Sequence, residues 1–176
     1  MSLAETIQII VAFTRENQQW AVLIVGLLAF GESLAVVSLL LPATAILLGI
    51  GALIGAGGVA FWPVWLAASI GAFFGDWLSY VIGQKLGWRI VRLWPLRRRP
   101  EIVMNGHDFF ERWGVWSIFI GRFFGPLRAI VPLIAGICLM PRLPFMIGNL
   151  LSALIWAFAI LAPGAFGVRW LEGWLG

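Results

Sequence analysis

Apolar residues run along this chain in long stretches, and the few polar positions inside them set where the elements begin and end. From Trp20 to Ile54 only Glu32, Ser33, Ser38 and Thr44 interrupt the apolar pattern. One membrane crossing needs about 20 such residues and two need about 40 plus a turn, so the window fits neither. It predicts a re-entrant helical hairpin over 20–54, broken at Gly31 and again at Pro42. The competing reading, two ordinary crossings reaching Trp62, would strand Glu32 in mid-span. Residues 61–83 read as a transmembrane helix carrying Gly71, Gly75 and Asp76. Gly71 and Gly75 share one helix face and permit close packing by a second helix.

The second half repeats this alternation. Residues 113–140 are apolar but contain Arg122 and Arg128 and are interrupted by Gly121, Gly125, Pro126 and Pro132. No unbroken crossing fits between those charges, so a second re-entrant hairpin is predicted. Residues 145–162 form a second transmembrane helix, followed by a short aromatic tail from Phe166. Gly31-Glu32 stands ahead of Pro42 at the spacing that Gly121-Arg122 holds ahead of Pro132. Two hairpins separated by an odd number of crossings would enter from opposite faces and meet near the midplane, as inverted-repeat transporters do.

Two segments are amphipathic. Residues 2–14 place Leu3, Ile7, Ile10 and Val11 at helical spacing, the pattern of a short helix on the membrane surface. Residues 84–112 form a basic amphipathic loop in which Leu86, Ile90, Leu93 and Trp94 oppose Lys85, Arg89 and Arg92; Arg97, Arg98 and Arg99 extend the charge. A polar helix over Glu101–Arg112 closes it. The positive-inside rule puts this loop in the cytoplasm, and two crossings then leave both termini on the opposite face.

Composition settles the class. The 176 residues are 61% hydrophobic and 11% charged, against roughly a quarter charged in soluble domains. Strands of an outer-membrane barrel would alternate in polarity; these runs are continuous, which leaves an all-α integral membrane protein. The net charge of +4 gathers in the basic loop, where anionic lipid headgroups are the nearer partner and nucleic acid is a poor one. Cys138 is the one cysteine, so no disulfide framework is available. Most tryptophans fall at segment ends, where headgroup-level aromatics belong; Trp77 and Trp156 fall inside the crossings.

The chemistry rests on four charges. A guanidinium in hydrocarbon costs at least about 2.5–3.5 kcal/mol, so Arg122 and Arg128 call for partners or a watery cavity. Arginine's planar fork matches phosphate oxygens, and a break near Gly125-Pro126 would let both arginines converge on one anion. Glu32 and Asp76 are the carboxylates of the hydrophobic segments. Burial and a neighbouring arginine act on a carboxylic acid in opposite directions, which makes each a candidate proton-coupling group. The plainer alternatives are snorkelling arginines and fixed ion pairs that hold the hairpins together. No nucleophile with a base, phosphate-binding loop, dinucleotide fingerprint or zinc spacing is present, so neither an enzyme nor a cofactor is expected.

Phe30-Gly31-Glu32, Gly75-Asp76 with Tyr80 and Gly83, and Phe119-Ile120-Gly121-Arg122-Phe123-Phe124-Gly125-Pro126-Leu127-Arg128 with Ala135-Gly136 and Asn149 resemble the DedA family, which carries the VTT or SNARE-associated membrane domain. The resemblance covers roughly residues 20–165. It implies a multi-pass protein of the bacterial inner membrane with two opposed re-entrant hairpins, tied to lipid translocation and envelope homeostasis. It further implies proton-coupled return of undecaprenyl phosphate across the bilayer, with Glu32 and Asp76 as the important acids and Arg122 and Arg128 as the phosphate-binding arginines. General phospholipid scrambling, antiport of an ion or small solute against protons, and a non-transporting scaffold stay open beside it, as does a homo-oligomer.

Overall fold

The computed structural model describes residues 16–34, 43–56, 59–87, 89, 101–123, 128 and 130–175. The expected surface helix over 2–14, the breaks at Pro42, Gly125 and Pro126, and Arg92, Arg97, Arg98 and Arg99 lie outside the described residues. Those residues form seven α-helices and no strand: α1 (Gln18–Ser33), α2 (Ala43–Gly55), α3 (Phe61–Leu86), α4 (Glu101–Trp113), α5 (Val115–Phe123), α6 (Ile130–Ile137) and α7 (Arg142–Leu175).

Length separates these helices into two kinds. The 26 residues of α3 rise about 39 Å, enough for a hydrocarbon core about 30 Å thick. Residues 142–167 of α7 form a second apolar helix of the same length. The 16 residues of α1 rise about 24 Å, and α2, α5 and α6 are shorter still. The short apolar helices therefore come in two pairs, each followed by a long one, and the 13-residue polar helix α4 stands outside the pairs.

Packing follows a reciprocal scheme. α1 packs along α3 and α5 along α7, so the first arm of each short pair rests on the long helix that follows it. The second arms cross over, α2 against α7 and α6 against α3, while α3 and α7 touch each other. Within each short pair the two arms make few contacts. Backbones meet closely at these seams. A Cβ on Gly71 would collide with the Gly26 carbonyl, and one on Gly136 with the Tyr80 carbonyl, so each seam admits only glycine there.

Several element ends differ from expectation. Gly31 and Gly121 do not break their helices; each lies in the last turn, and α1 and α5 run on to Ser33 and Phe123. A single glycine weakens a helix by about 1 kcal/mol without stopping it. At Gly121 the missing side chain makes room for α6, where a Cβ would stand 2.8 Å from a Val131 methyl. Pro132 sits in the first turn of α6, where its missing N–H breaks no intrahelical bond. The aromatic tail expected after Ala162 is instead a continuation of α7 through Pro163. Membrane helices tolerate such a proline when neighbours compensate, and here Gly164 lies directly against the Gly51 backbone of α2.

The apolar surface is arranged for lipid. Trp62, Leu66, Ile70, Phe74, Leu78 and Ile82 make an exposed stripe along α3, and α7 exposes Ile147, Leu151, Ile155 and Phe158 in the same way. Inside, two apolar clusters form. One gathers Val25, Leu47, Val64, Ala68, Ala72, Ala153, Ala157 and Leu161. The other gathers Tyr80, Ile118, Ile134, Ile137 and Phe145. Asp76 stands between Ala72 and Tyr80 on α3, and Asn149 between Phe145 and Ala153 on α7. A polar layer thus divides the two apolar cores.

Candidate functional site

The polar layer is built from helix interiors and helix ends. Asp76 projects from the middle of α3 and Asn149 from α7, both buried. Arg122, in the last turn of α5, donates to the Asp76 carboxylate and, through the same Nη2, to Asn149 Oδ1 at 2.6 Å. Asn149 in turn donates from Nδ2 to the Phe73 carbonyl at 3.0 Å, and the Ser152 hydroxyl donates to the Asn149 carbonyl at 3.1 Å. One arginine therefore ties α5 to α3 and α7, and one asparagine ties α3 to α7.

A second pair forms alongside. Glu32, in the last turn of α1, accepts from Arg128 Nη1 at 3.0 Å. The Arg128 guanidinium lies over the Trp156 ring of α7, 4.2 Å from its centroid. This is cation–π geometry, worth about 2 kcal/mol when desolvated. Arg128 belongs to the turn between α5 and α6, so the contact joins that turn to α1 and α7. The end of α1 is also fastened to α3, where Ser79 donates to the Ser33 carbonyl at 3.4 Å. Last-turn carbonyls have no intrahelical partner, and a side-chain hydroxyl supplies one here.

All four charges singled out from the sequence come together, paired as Asp76 with Arg122 and Glu32 with Arg128. Two donors are left over: among the described residues, buried Nη1 of Arg122 and Nη2 of Arg128 meet no hydrogen-bond partner. Buried donors without acceptors are costly, and guanidinium donors facing one polar layer suit an incoming anion with several oxygens. With every group charged, the two arginines and two carboxylates sum to zero.

Pattern reasoning missed the parts of the site that carry no charge. Asn149 entered only through a family motif, although an asparagine inside a predicted crossing needs a partner as surely as a charge does. Trp156 stood out as a tryptophan away from the headgroup level, and its contact with Arg128 gives the reason. Trp77, the other such residue, is 41% exposed on the lipid-facing side of α3 and belongs to no part of this layer.

Comparison with known proteins adds the following. The VTT domain profile matches residues 41–166. The chain is 35% identical over 152 residues to "Inner membrane protein YabI" of Escherichia coli (strain K12), covering 86% of this chain and 60% of that protein. It is 32% identical to "Inner membrane protein YghB" and 30% identical to "Inner membrane protein YqjA" of the same strain, each over 125 residues, 70% of this chain and 57% of the relative. The chain thus spans about 60% of the length of the curated relatives it matches. No solved structure matches it.

Proposed function

The chain belongs to the VTT-domain family, the DedA family of inner-membrane proteins, and from that premise we propose that it moves undecaprenyl phosphate between the leaflets of the bacterial inner membrane in a proton-coupled step. The observation that carries this reading is the buried layer of paired charges with a spare guanidinium donor on each arginine. Phosphate oxygens accept from Arg122 Nη1 and Arg128 Nη2, while the polyprenyl chain stays in the bilayer.

Charge balance supplies the coupling. Adding an anionic phosphate to a neutral layer in a low-dielectric site leaves an uncompensated negative charge. Protonating one carboxylate restores neutrality and frees its arginine for the phosphate. Glu32 is the better candidate for that exchange, because Arg128 is less enclosed than Arg122: their side chains are 12% and 3% exposed. The same step run in reverse releases the lipid.

The architecture in this reading is an inverted repeat of two re-entrant hairpins, α1–α2 and α5–α6, meeting at the polar layer, with α3 and α7 as the crossings. The reciprocal packing and the shortness of all four arms support it. The test is leaflet-resolved transport of undecaprenyl phosphate in proteoliposomes, with and without an imposed pH gradient. Transport that follows the gradient and is lost in Arg128→Ala is expected. Parent-level transport by Arg128→Ala would sink the reading, and gradient-independent movement of ordinary phospholipid would make the protein a scramblase.

A further inference from the structure

A second lipid-accessible feature lies away from the polar layer. A groove of about 610 Å³ opens between the C-terminal end of α3 and the start of α7. Its floor is apolar, formed by Trp77, Val81 and Met146. Its polar back wall is already committed: Tyr80 donates its hydroxyl proton to the Met140 carbonyl at 2.5 Å and accepts from Gln84 Nε2 at 2.7 Å. At the rim stand Lys85 from α3 and Arg142 from α7. Both are exposed, and among the described residues neither has a carboxylate or any hydrogen-bond partner.

We propose that this groove is a binding site for an anionic phospholipid, its phosphate held between Lys85 and Arg142 and the upper part of one chain lying over Trp77, Val81 and Met146. Three observations converge. Two cations from different helices line one rim, and among the described residues neither forms an ion pair. Apolar wall lies directly below them, in the order a headgroup and its chain require. The volume falls within the range of about 300–1,000 Å³ of small-molecule pockets, room for a headgroup and the upper part of one chain. Lys85 adjoins the basic loop, which the positive-inside rule assigns to the side of the leaflet rich in anionic lipid. It goes beyond the transport reading, since neither Arg122 nor Arg128 lines the groove.

The test is native mass spectrometry of the full chain in detergent, titrated with phosphatidylglycerol and separately with phosphatidylcholine. Each rim cation contributes on the order of 1 kcal/mol toward an anionic headgroup, so Lys85→Ala and Arg142→Ala each weaken phosphatidylglycerol binding by about fivefold and the double variant by about twenty-fivefold. Val81→Trp, which fills the groove without changing charge, weakens both lipids. The proposal is overturned if the double variant binds phosphatidylglycerol as the parent does, or if the parent binds phosphatidylcholine equally well. Arg128→Ala retains phosphatidylglycerol binding while losing undecaprenyl phosphate transport, which separates failure of this site from failure of the central one.

Discussion

The two ion pairs of the polar layer use the same chemistry in different settings. Arg122 is held on three sides: Asp76 on α3, Asn149 on α7 and its own place in α5. Arg128 sits at a turn, makes one hydrogen bond to Glu32 and rests on a ring that any cation could occupy. The first pair is fastened from beyond by Asn149, which is itself anchored to the Phe73 carbonyl. On the proposed reading the difference assigns roles: the more enclosed pair, Asp76–Arg122, holds the geometry of the site as a hinge-pin, and the less enclosed pair, Glu32–Arg128, is the latch that exchanges partners.

The largest effect is expected where that distinction predicts structure to fail. Asp76→Ala leaves a buried guanidinium without its counter-charge and lowers stability by about 3–5 kcal/mol in a detergent unfolding titration. Asp76→Ala combined with Arg122→Ala is less damaging than the two single effects summed, because the orphaned charge goes with its partner. Next is Asn149→Ala, which removes an acceptor from Arg122 and a donor from the Phe73 carbonyl and costs about 1–3 kcal/mol by the same titration. If Asn149→Ala leaves stability unchanged, the first pair is not braced as described.

Arg128→Ala is expected to cost about 2–3 kcal/mol, between an exposed pair and a fully enclosed one, while transport in proteoliposomes falls by at least about tenfold. A stability loss as large as that of Asp76→Ala would erase the contrast between the pairs. The smallest effect belongs to Trp156→Phe, where a weaker ring quadrupole lowers stability by about 0.5–1 kcal/mol. That loss should vanish when Arg128 is already alanine, which a double-mutant cycle in the same titration checks.

The sequence made the charges legible because physics leaves an intramembrane charge few options: it must find a partner or a cavity. Glu32, Asp76, Arg122 and Arg128 were therefore visible as one set before any geometry was known. Which acid takes which arginine was not visible, since the choice depends on how the last turns of α1 and α5 approach α3. The helix ends were misplaced by a few residues for a related reason. Gly31 and Gly121 look like breaks in a linear pattern, but a glycine in a packed seam serves approach as often as termination. Asn149 and Trp156 escaped because neutral side chains inside a crossing carry a weaker obligation than charged ones. The long helices were the most legible part, since length and continuous apolarity are properties of the chain alone; the extension of α7 past Pro163 depends on contact with α2 and was not.

The proposed exchange of Glu32 for phosphate on Arg128 is most directly tested by equilibrium binding of undecaprenyl phosphate to the detergent-solubilised protein, comparing parent, Glu32→Gln and Arg128→Ala. The two members of the pair should act with opposite sign: Glu32→Gln removes the competing carboxylate and binds the lipid more tightly, whereas Arg128→Ala removes the phosphate's donor and binds it weakly. If Glu32→Gln binds no more tightly than the parent, the carboxylate does not compete with the lipid, and the latch is a fixed ion pair like its neighbour.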